Sequence, residues 1–376
     1  MTILEQMYSK DRVIITAKLT LANGAFLQPT GFPDIGSCIY TDGDGKRRCL
    51  VESEQSMANR LESVSMKSPG HWVKELKHLP VIEVRDSNGF LMATNLTEPH
   101  RIASSYVMEG KLNGSDVKTM LADKIGLSGD NGASWPLDKR DCLEKLVFAL
   151  DPAALLHGFQ FVQWKFVGLR QTRLLSARLE CVLADEPEVH YGMVKFDLIE
   201  PSSQGEGTNK GQSIASKSRI VAAKDGITAT FDIDLLGLKN LAVEEAQKKF
   251  LLALSLWKIG ALLSNKASFD ARSRQTSPAL RLRADCYLSC AENVEWSTPP
   301  GSGTPVKVSD LLEALSNHGV EFDDLAKAQG FNLKTEPKDG PRLITVTYRK
   351  TAAAQPAAPT SAPEAPTSEE PQVTES

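Results

Sequence analysis

Apolar and polar residues alternate from Val13 to Leu21: Val13, Ile15, Ala17, Leu19 and Leu21 share one face, Thr16, Lys18 and Thr20 the other. A period of two predicts a half-buried strand with a polar outer side. A Gly/Pro-rich stretch follows, and Asp42-Gly43-Asp44-Gly45 predicts a hairpin turn. After Leu50 and Val51, which read as the end of a strand, the period changes. Ser53 is placed to cap a helix whose apolar residues Met57, Leu61 and Val64 recur at i, i+4 and i+7. Gln55 and Asn59 share a second face of that helix, with Arg60 beside them; this face has no aliphatic role and several hydrogen-bonding groups.

Further along, residues 81–94 predict a hairpin turning at Asn88-Gly89. Residues 103–141 have poor apolar periodicity and predict an insertion of loops and short helices. Residues 172–184 predict a helix burying Leu175, Leu179 and Val182, and residues 201–217 a mobile loop. Asp225-Gly226 predicts another hairpin turn, followed by a strand burying Ile227, Ala229, Phe231 and Ile233. A helix over 243–264 is apolar nearly all round from Phe250 to Leu263 apart from Lys258, too short to span a bilayer, so it reads as a core helix. Residues 280–288 alternate again, predicting a strand with Arg281 and Arg283 on its solvent face. A helix–helix–strand unit fills 308–349, and the Ala/Pro/Ser/Glu tail from Thr351 is expected to be disordered. Strands and helices mix without regular alternation, which predicts an α+β fold with an antiparallel sheet.

Composition narrows the function classes. Formal net charge is −4, and four glutamates fall in the last 26 residues, which hold no Lys or Arg; the body is therefore neutral. A nucleic-acid site must then be a local patch. Three stretches qualify: Lys165, Arg170 and Arg173, extending to Arg178; Lys210, Lys217, Arg219 and Lys224; and Lys266, Arg272, Arg274, Arg281 and Arg283. Aromatics make up only 6% and no aromatic cluster marks a predicted strand, so the pattern favours phosphate and sugar contacts over base stacking. The amides opening the 53–64 helix are a further candidate for phosphate, as is His100 with Arg101.

Other chemistry has little support. The six cysteines include no CxxC pair and read as buried thiols of a reducing, cytoplasmic compartment. No apolar leader-like segment opens the chain, and no membrane association is expected. No HExxH or Cys/His ligand set is present, so neither metal nor cofactor is expected; His157 reads as a packed residue. Asp34, in a Gly/Pro loop after a strand, is the one residue to consider for metal-dependent RNA cleavage, and an Asp after Pro is also a common turn residue.

Two segments carry a resemblance: Gln28-Pro-Thr-Gly-Phe-Pro-Asp-Ile-Gly36 and Leu50-Val-Glu-Ser-Glu-Gln-Ser-Met-Ala-Asn-Arg-Leu61. In order and spacing they resemble the backbone subunit of type I-G (formerly I-U) CRISPR effector complexes, a Cas-seven-type member of the RAMP superfamily (Csb family). The likeness continues in Asp151-Pro152…Leu156-His157-Gly158, Leu174-Leu175-Ser176-Ala177, the Leu-Trp-Lys helix near Trp257, and Leu280-Arg281-Leu282-Arg283, covering roughly residues 12–290.

The resemblance implies a ferredoxin-like, RRM-related palm with finger and thumb insertions; this domain is read over 1–304, and a 305–350 helix–helix–strand unit, outside the resemblance, is expected to pack on it. It implies a non-catalytic subunit that polymerises with copies of itself along crRNA in a helical filament. Other effector subunits, target DNA paired to the guide, and a separate helicase-nuclease are the implied partners. The candidate RNA contacts are Gln55, Asn59, Arg60, Lys165, Arg170, Arg173, Lys217, Arg219, Arg281 and Arg283. The alternatives are a metal-dependent RNA endonuclease subunit using Asp34, and a protein-interaction module that binds no nucleic acid.

Overall fold

The computed structural model describes residues 2–24, 26–32, 36–127, 135, 137–164, 169–193, 215–270, 274–282, 286–299, 301–335 and 341–348. The elements that frame the site are, in chain order, β1 (Arg12–Leu21), β2 (Arg47–Glu52), α1 (Glu54–Ser63), β3 (Pro80–Arg85), α2 (Arg140–Leu150), α3 (Pro152–His157), β4 (Leu175–Met193), β5 (Ala215–Asp234), α4 (Glu245–Leu263), β6 (Asn293–Ser297), β7 (Thr304–Lys307) and β8 (Arg342–Thr347). The fold is α+β. The main sheet runs β7-β6-β1-β5-β4-β2, every neighbouring pair antiparallel. Helices α1 to α3 separate β1 from β4, and α4 separates β5 from β6. Four of these strands thus form a β-α-β-β-α-β unit with spatial order 4-1-3-2, the ferredoxin-like topology.

Register explains which face is buried. Val13, Ile233 and Leu175 form one row across β1, β5 and β4; Ile15, Phe231 and Ala177 the next; then Ala17, Ala229 and Leu179; then Leu19, Ile227 and Cys181. All are buried. This face packs on α1 and α3, which in turn pack on α4, as the alternation in β1 requires. Helix α4 is the central post: Phe250 to Leu263 are buried without interruption. At Gly260 a Cβ would stand 3.0 Å from the Leu312 nitrogen and 3.1 Å from the Leu311 Cβ, so only glycine lets the 308–313 helix lie this close. A second sheet holds 91–94, β3, β8 and the 111–116 hairpin, with β3 and β8 parallel, and α2 packs against β3. Residues 304–347 thereby feed strands into both sheets.

Several expectations hold. The turns at 42–45 and at Asn88-Gly89 close hairpins; Ser53 caps α1; Met57, Leu61 and Val64 are buried. Others are corrected. Residues 172–184 are not helical: β4 begins at Leu175 and alternates, burying Leu175, Ala177, Leu179 and Cys181. Leu175 and Leu179 at i and i+4 satisfy both periods, and the neighbours β5 and β2 decide for a strand. Asp225-Gly226 is not a hairpin turn. It lies within β5, where Cys181 pairs with Ile227 and Leu183 with Ala222, so the extra residues of β5 bulge. Asp225 has a positive φ of 58°, a conformation found both in some bulges and in the primed hairpin turns. Residues 215–217 of the expected loop belong to β5; residues 201–214 and the tail lie outside the described residues.

The 280–288 segment is also corrected. It is not one strand but folds back, with Arg281 bridged to Tyr287, Leu282 N–H donating to Cys286 and Leu288 N–H to Leu280. Arg283 lies outside the described residues. Among the described residues, no helix is long and apolar enough to cross a membrane.

A polar cluster lies inside the fold. Glu62 of α1 accepts from Arg101 (3.2 Å) and from Lys258 of α4, and all three are at most 3% exposed at their side chains. Arg101 is therefore not available to phosphate. Its φ of 53° is unusual for a side-chain-bearing residue, and its guanidinium is fixed by Glu62, the Pro99 carbonyl (2.9 Å) and the Gly158 carbonyl (3.2 Å). Asp151 caps α3, accepting from Ala154 N–H at 3.3 Å and Ile102 N–H at 3.0 Å, with Pro152 at the first helical position. Burial, then the Glu62 charge, pushes the Asp151 carboxyl up to about 7. Burial and the charges of Lys258 and Arg101 hold His157 well below the usual range, so it is neutral.

Glu62→Gln leaves two buried cations without their shared counter-charge and is expected to cost about 3–5 kcal/mol in urea unfolding. Asp151 has a folded pKa above its unfolded value, so its stabilising contribution is full below about pH 4 and lost as pH rises to about 7. Unfolding free energies across that window should show the wild type losing stability relative to Asp151→Asn.

Candidate nucleic-acid interface

The sequence places Gln55 and Asn59 on one stripe of α1, and Glu62 continues that stripe at i+7 from Gln55. The stripe is exposed at Gln55, half-buried at Asn59 and buried at Glu62. It is a polar seam that runs from the surface into the cluster described above. Arg173, in the short link before β4, meets its outer end: Nη2 donates to Gln55 Oε1. Gln55 Nε2 in turn donates to Asn59 Oδ1 at 3.4 Å.

The direction of this chain follows from chemistry. A guanidinium only donates, so Gln55 must turn its oxygen to Arg173 and its amino group to Asn59. Asn59 must then offer its oxygen to Gln55, which leaves its Nδ2 hydrogens outward. Arg173 Nε is buried without a partner among the described residues. Burial, then the nearby Arg101 charge, lowers the Arg173 pKa, while Glu54 opposes this; from so high a starting value the group stays cationic. The surface groups left over, on Arg173 and Asn59, are donors, which suits phosphate and ribose oxygens. Beside Arg173 opens a cavity of about 440 Å³ lined also by Arg12, Ser176, Asp232, Asp234 and Leu236. Arg12 pairs there with Asp232, on the outer face of the main sheet.

Arg60 does something else. Its Nε and Nη2 donate to Glu52 Oε1 at 3.1 and 2.8 Å, and Nη1 donates to the carbonyls of Arg281 (2.9 Å) and Ala279 (3.4 Å). It staples the 279–281 segment to α1, and its guanidinium is committed to that task. Arg281 is thereby set beside α1, whose Gln55–Asn59 stripe forms a ridge with Arg173, and its guanidinium lies 5.6 Å from the Tyr287 ring centroid. The first turn of α1 is no anion site: Ser53 Oγ accepts from Ser56 N–H, Glu54 adds a charge, and buried Glu52 accepts from Ser56 Oγ.

The remaining candidates are dispersed. Arg170 is exposed on a two-residue strand paired with 159–160, and its carbonyl accepts from Arg140. In extended backbone it shares no helical face with Arg173. Lys217 and Arg219 lie on the β4–β5 arm, opposite Tyr191 and Val189. Lys165, Arg272 and Asp34 lie outside the described residues. Among the described residues, no group of three or more His, Cys, Asp and Glu is placed to hold a metal. Sequence reasoning missed Glu62 and the pairing of Arg101 and Lys258 with it; the polar i, i+4, i+7 spacing of Gln55, Asn59 and Glu62 was the available signal.

Residues 13–186 match the family described as CRISPR-associated protein GSU0053. The match spans just under half of the chain and includes β1 from Val13 on, α1 and Arg173. No curated protein matches the chain. Among solved structures, a chain of a "CRISPR RNA-guided surveillance complex, pre-nicking" is similar over 76% of this chain and 75% of its own, at 12% identity and a TM-score of 0.34. At that score the likeness carries no argument.

Arg173→Ala is expected to weaken binding of a single-stranded RNA about tenfold. It should also flatten the slope of log affinity against log salt by about 0.7, the signature of one phosphate contact. Fluorescence anisotropy across a salt series measures both.

Proposed function

We propose that this chain is a non-catalytic backbone subunit of a CRISPR surveillance complex, of the Cas-seven type. It tracks crRNA through phosphate and ribose contacts that ignore sequence. Copies of the chain line the guide in a helical filament with other effector subunits, the guide pairs with target DNA, and a separate helicase-nuclease does the cutting. The observation that carries this reading is the donor row of Arg173 and Asn59, oriented through Gln55 and anchored inward by the polar seam. A guide differs from one complex to the next, so its scaffold must grip what all guides share. The family match over residues 13–186 supports the same reading.

In this reading Arg281, held by Arg60, extends the ridge, and the β4–β5 arm with Lys217 and Arg219 closes over the RNA as a clamp. Basic patches of successive neutral bodies add up along the guide, while complementary surfaces meet head to tail, a contact that propagates without closing.

Co-expression with a CRISPR array, nuclease treatment and size-exclusion chromatography with 260/280 nm absorbance test the proposal. The expected result is a large species retaining RNA of defined, protected length. A monomer free of RNA, even with the other effector subunits present, overturns it. The large species should diminish in a Gln55→Ala, Arg173→Ala double variant.

A further inference from the structure

Two thiols stand opposite each other inside the main sheet. Cys49 of β2 is the ladder partner of Cys181 of β4, and both are buried and free. They extend one inner row of the sheet: Leu19, Ile227, Cys181 and Cys49 line up across β1, β5, β4 and β2. Ile39, on the edge strand Ile39–Thr41, ends the row and is half-buried, so Cys49 is one strand from solvent. Among the described residues, no other two cysteines share a ladder position.

The ladder sets their spacing. Leu50 N–H donates to the Cys38 carbonyl at 3.0 Å, toward the edge strand. Backbone groups alternate sides along a strand, so those of Cys49 face β4 and the two cysteines form a hydrogen-bonded pair. Such a pair holds its Cα atoms about 5.5 Å apart, within the range that a disulfide spans. The Cys49 backbone also lies within hydrogen-bonding reach of the Cys181 thiol, so that sulfur sits against β2. Next to the pair the ladder shifts: Leu179 faces Glu52 and Glu180 faces Leu50, which leaves Val51 as an extra residue on β2. A bulge bends its strand, and here it lets β2 make the small approach to β4 that bridging the two Cβ atoms requires.

We infer that Cys49 and Cys181 are a redox-responsive dithiol, which hydrogen peroxide joins into a cross-strand disulfide that fastens β2 to β4. The Cys49 sulfur, nearer the sheet edge, attacks one peroxide oxygen. The O–O bond breaks, Cys49 becomes a sulfenic acid, and the other oxygen leaves as water with the thiol proton. The Cys181 sulfur then attacks the Cys49 sulfur. The S–S bond forms, the S–O bond breaks, and hydroxide leaves as water with the Cys181 proton. The two thiols lose two electrons and the peroxide gains them. Burial pushes the Cys181 thiol up to about 12, so the pair stays protonated at neutral pH and reacts only as β2 opens at the edge. The bond closes a covalent loop that carries Gln55, Asn59 and Arg173, so oxidation braces the strands on which the ridge stands. The inference does not depend on the ridge binding RNA.

The test uses the full chain, purified under dithiothreitol, freed of it and exposed to hydrogen peroxide. Remaining thiols are alkylated, and the unreduced peptides are mapped by mass spectrometry. The expected result is a linked pair of peptides carrying Cys49 and Cys181, lighter by two hydrogens than the free thiol peptides and separated again by dithiothreitol. The oxidised chain should melt about 5 °C above the reduced one. Cys49→Ala and Cys181→Ala should each abolish that rise; the peptide map needs no variant, so it decides even where a variant misfolds. The inference is overturned if both thiols stay open to alkylation, if they end as sulfinic or sulfonic acids, or if either bonds to another cysteine instead. It is equally overturned if the link forms only in the urea-unfolded chain, or if the linked chain melts no higher than the reduced one.

Discussion

The ion cluster at Glu62 is the constraint on which the rest of the structure depends. One carboxylate from α1 serves a guanidinium from the Arg101 turn and an ammonium from the central helix α4, all cut off from water. Separating them would strand charges in an apolar interior, at a cost of several kcal/mol per ion. Hydrophobic contacts tolerate small slips between helices; a shared buried counter-ion does not. The cluster therefore fixes how α1 sits on α4 and on the Gly158 turn. It also explains how Arg101 can hold a left-handed backbone, because three acceptors grip its side chain at once.

The same stripe of α1 that begins with exposed amides ends in that cluster. The candidate ligand groups are thus the outer end of a polar path whose inner end cannot move. Arg173 is held between them, hydrogen-bonded to Gln55 and repelled by Arg101, in a half-buried position where losing solvent strengthens its hold on an anion. Preorganisation of this kind suits sequence-independent binding, in which few contacts recur many times and each must be ready before the ligand arrives. Arg60 and Glu52 serve the same end from the next helical position by fastening the 279–281 segment beside the ridge.

What was legible follows a pattern. Capping and periodicity are local, so α1, its Ser53 cap, and Gln55 and Asn59 as a polar face could be read directly. Arg173 was found through its charge, but its helix was not there: a leucine pair four apart fits a strand as well as a helix, and only β2 and β5 on either side decide. Arg60 and Arg101 were basic residues like any others in the sequence. Their acceptors, Glu52 and Glu62 with the Ala279, Arg281 and Gly158 carbonyls, lie up to 221 positions away and are supplied by the fold.

By itself, the sequence determined the α+β class, the alternation of β1 and of residues 227–233 in β5, the buried helix α4, the turns at 42–45 and Asn88-Gly89, and a neutral body on which basic groups must be local. Those properties rest on interactions among neighbours along the chain, which composition and spacing report. Only the tertiary structure decided which cations are spent on buried carboxylates and which remain for a ligand. It alone made Asp225-Gly226 a bulge and folded the 280–288 segment back on itself. A charge or a turn residue specifies an interaction but not its partner, and the partner is chosen when strands pair and helices pack.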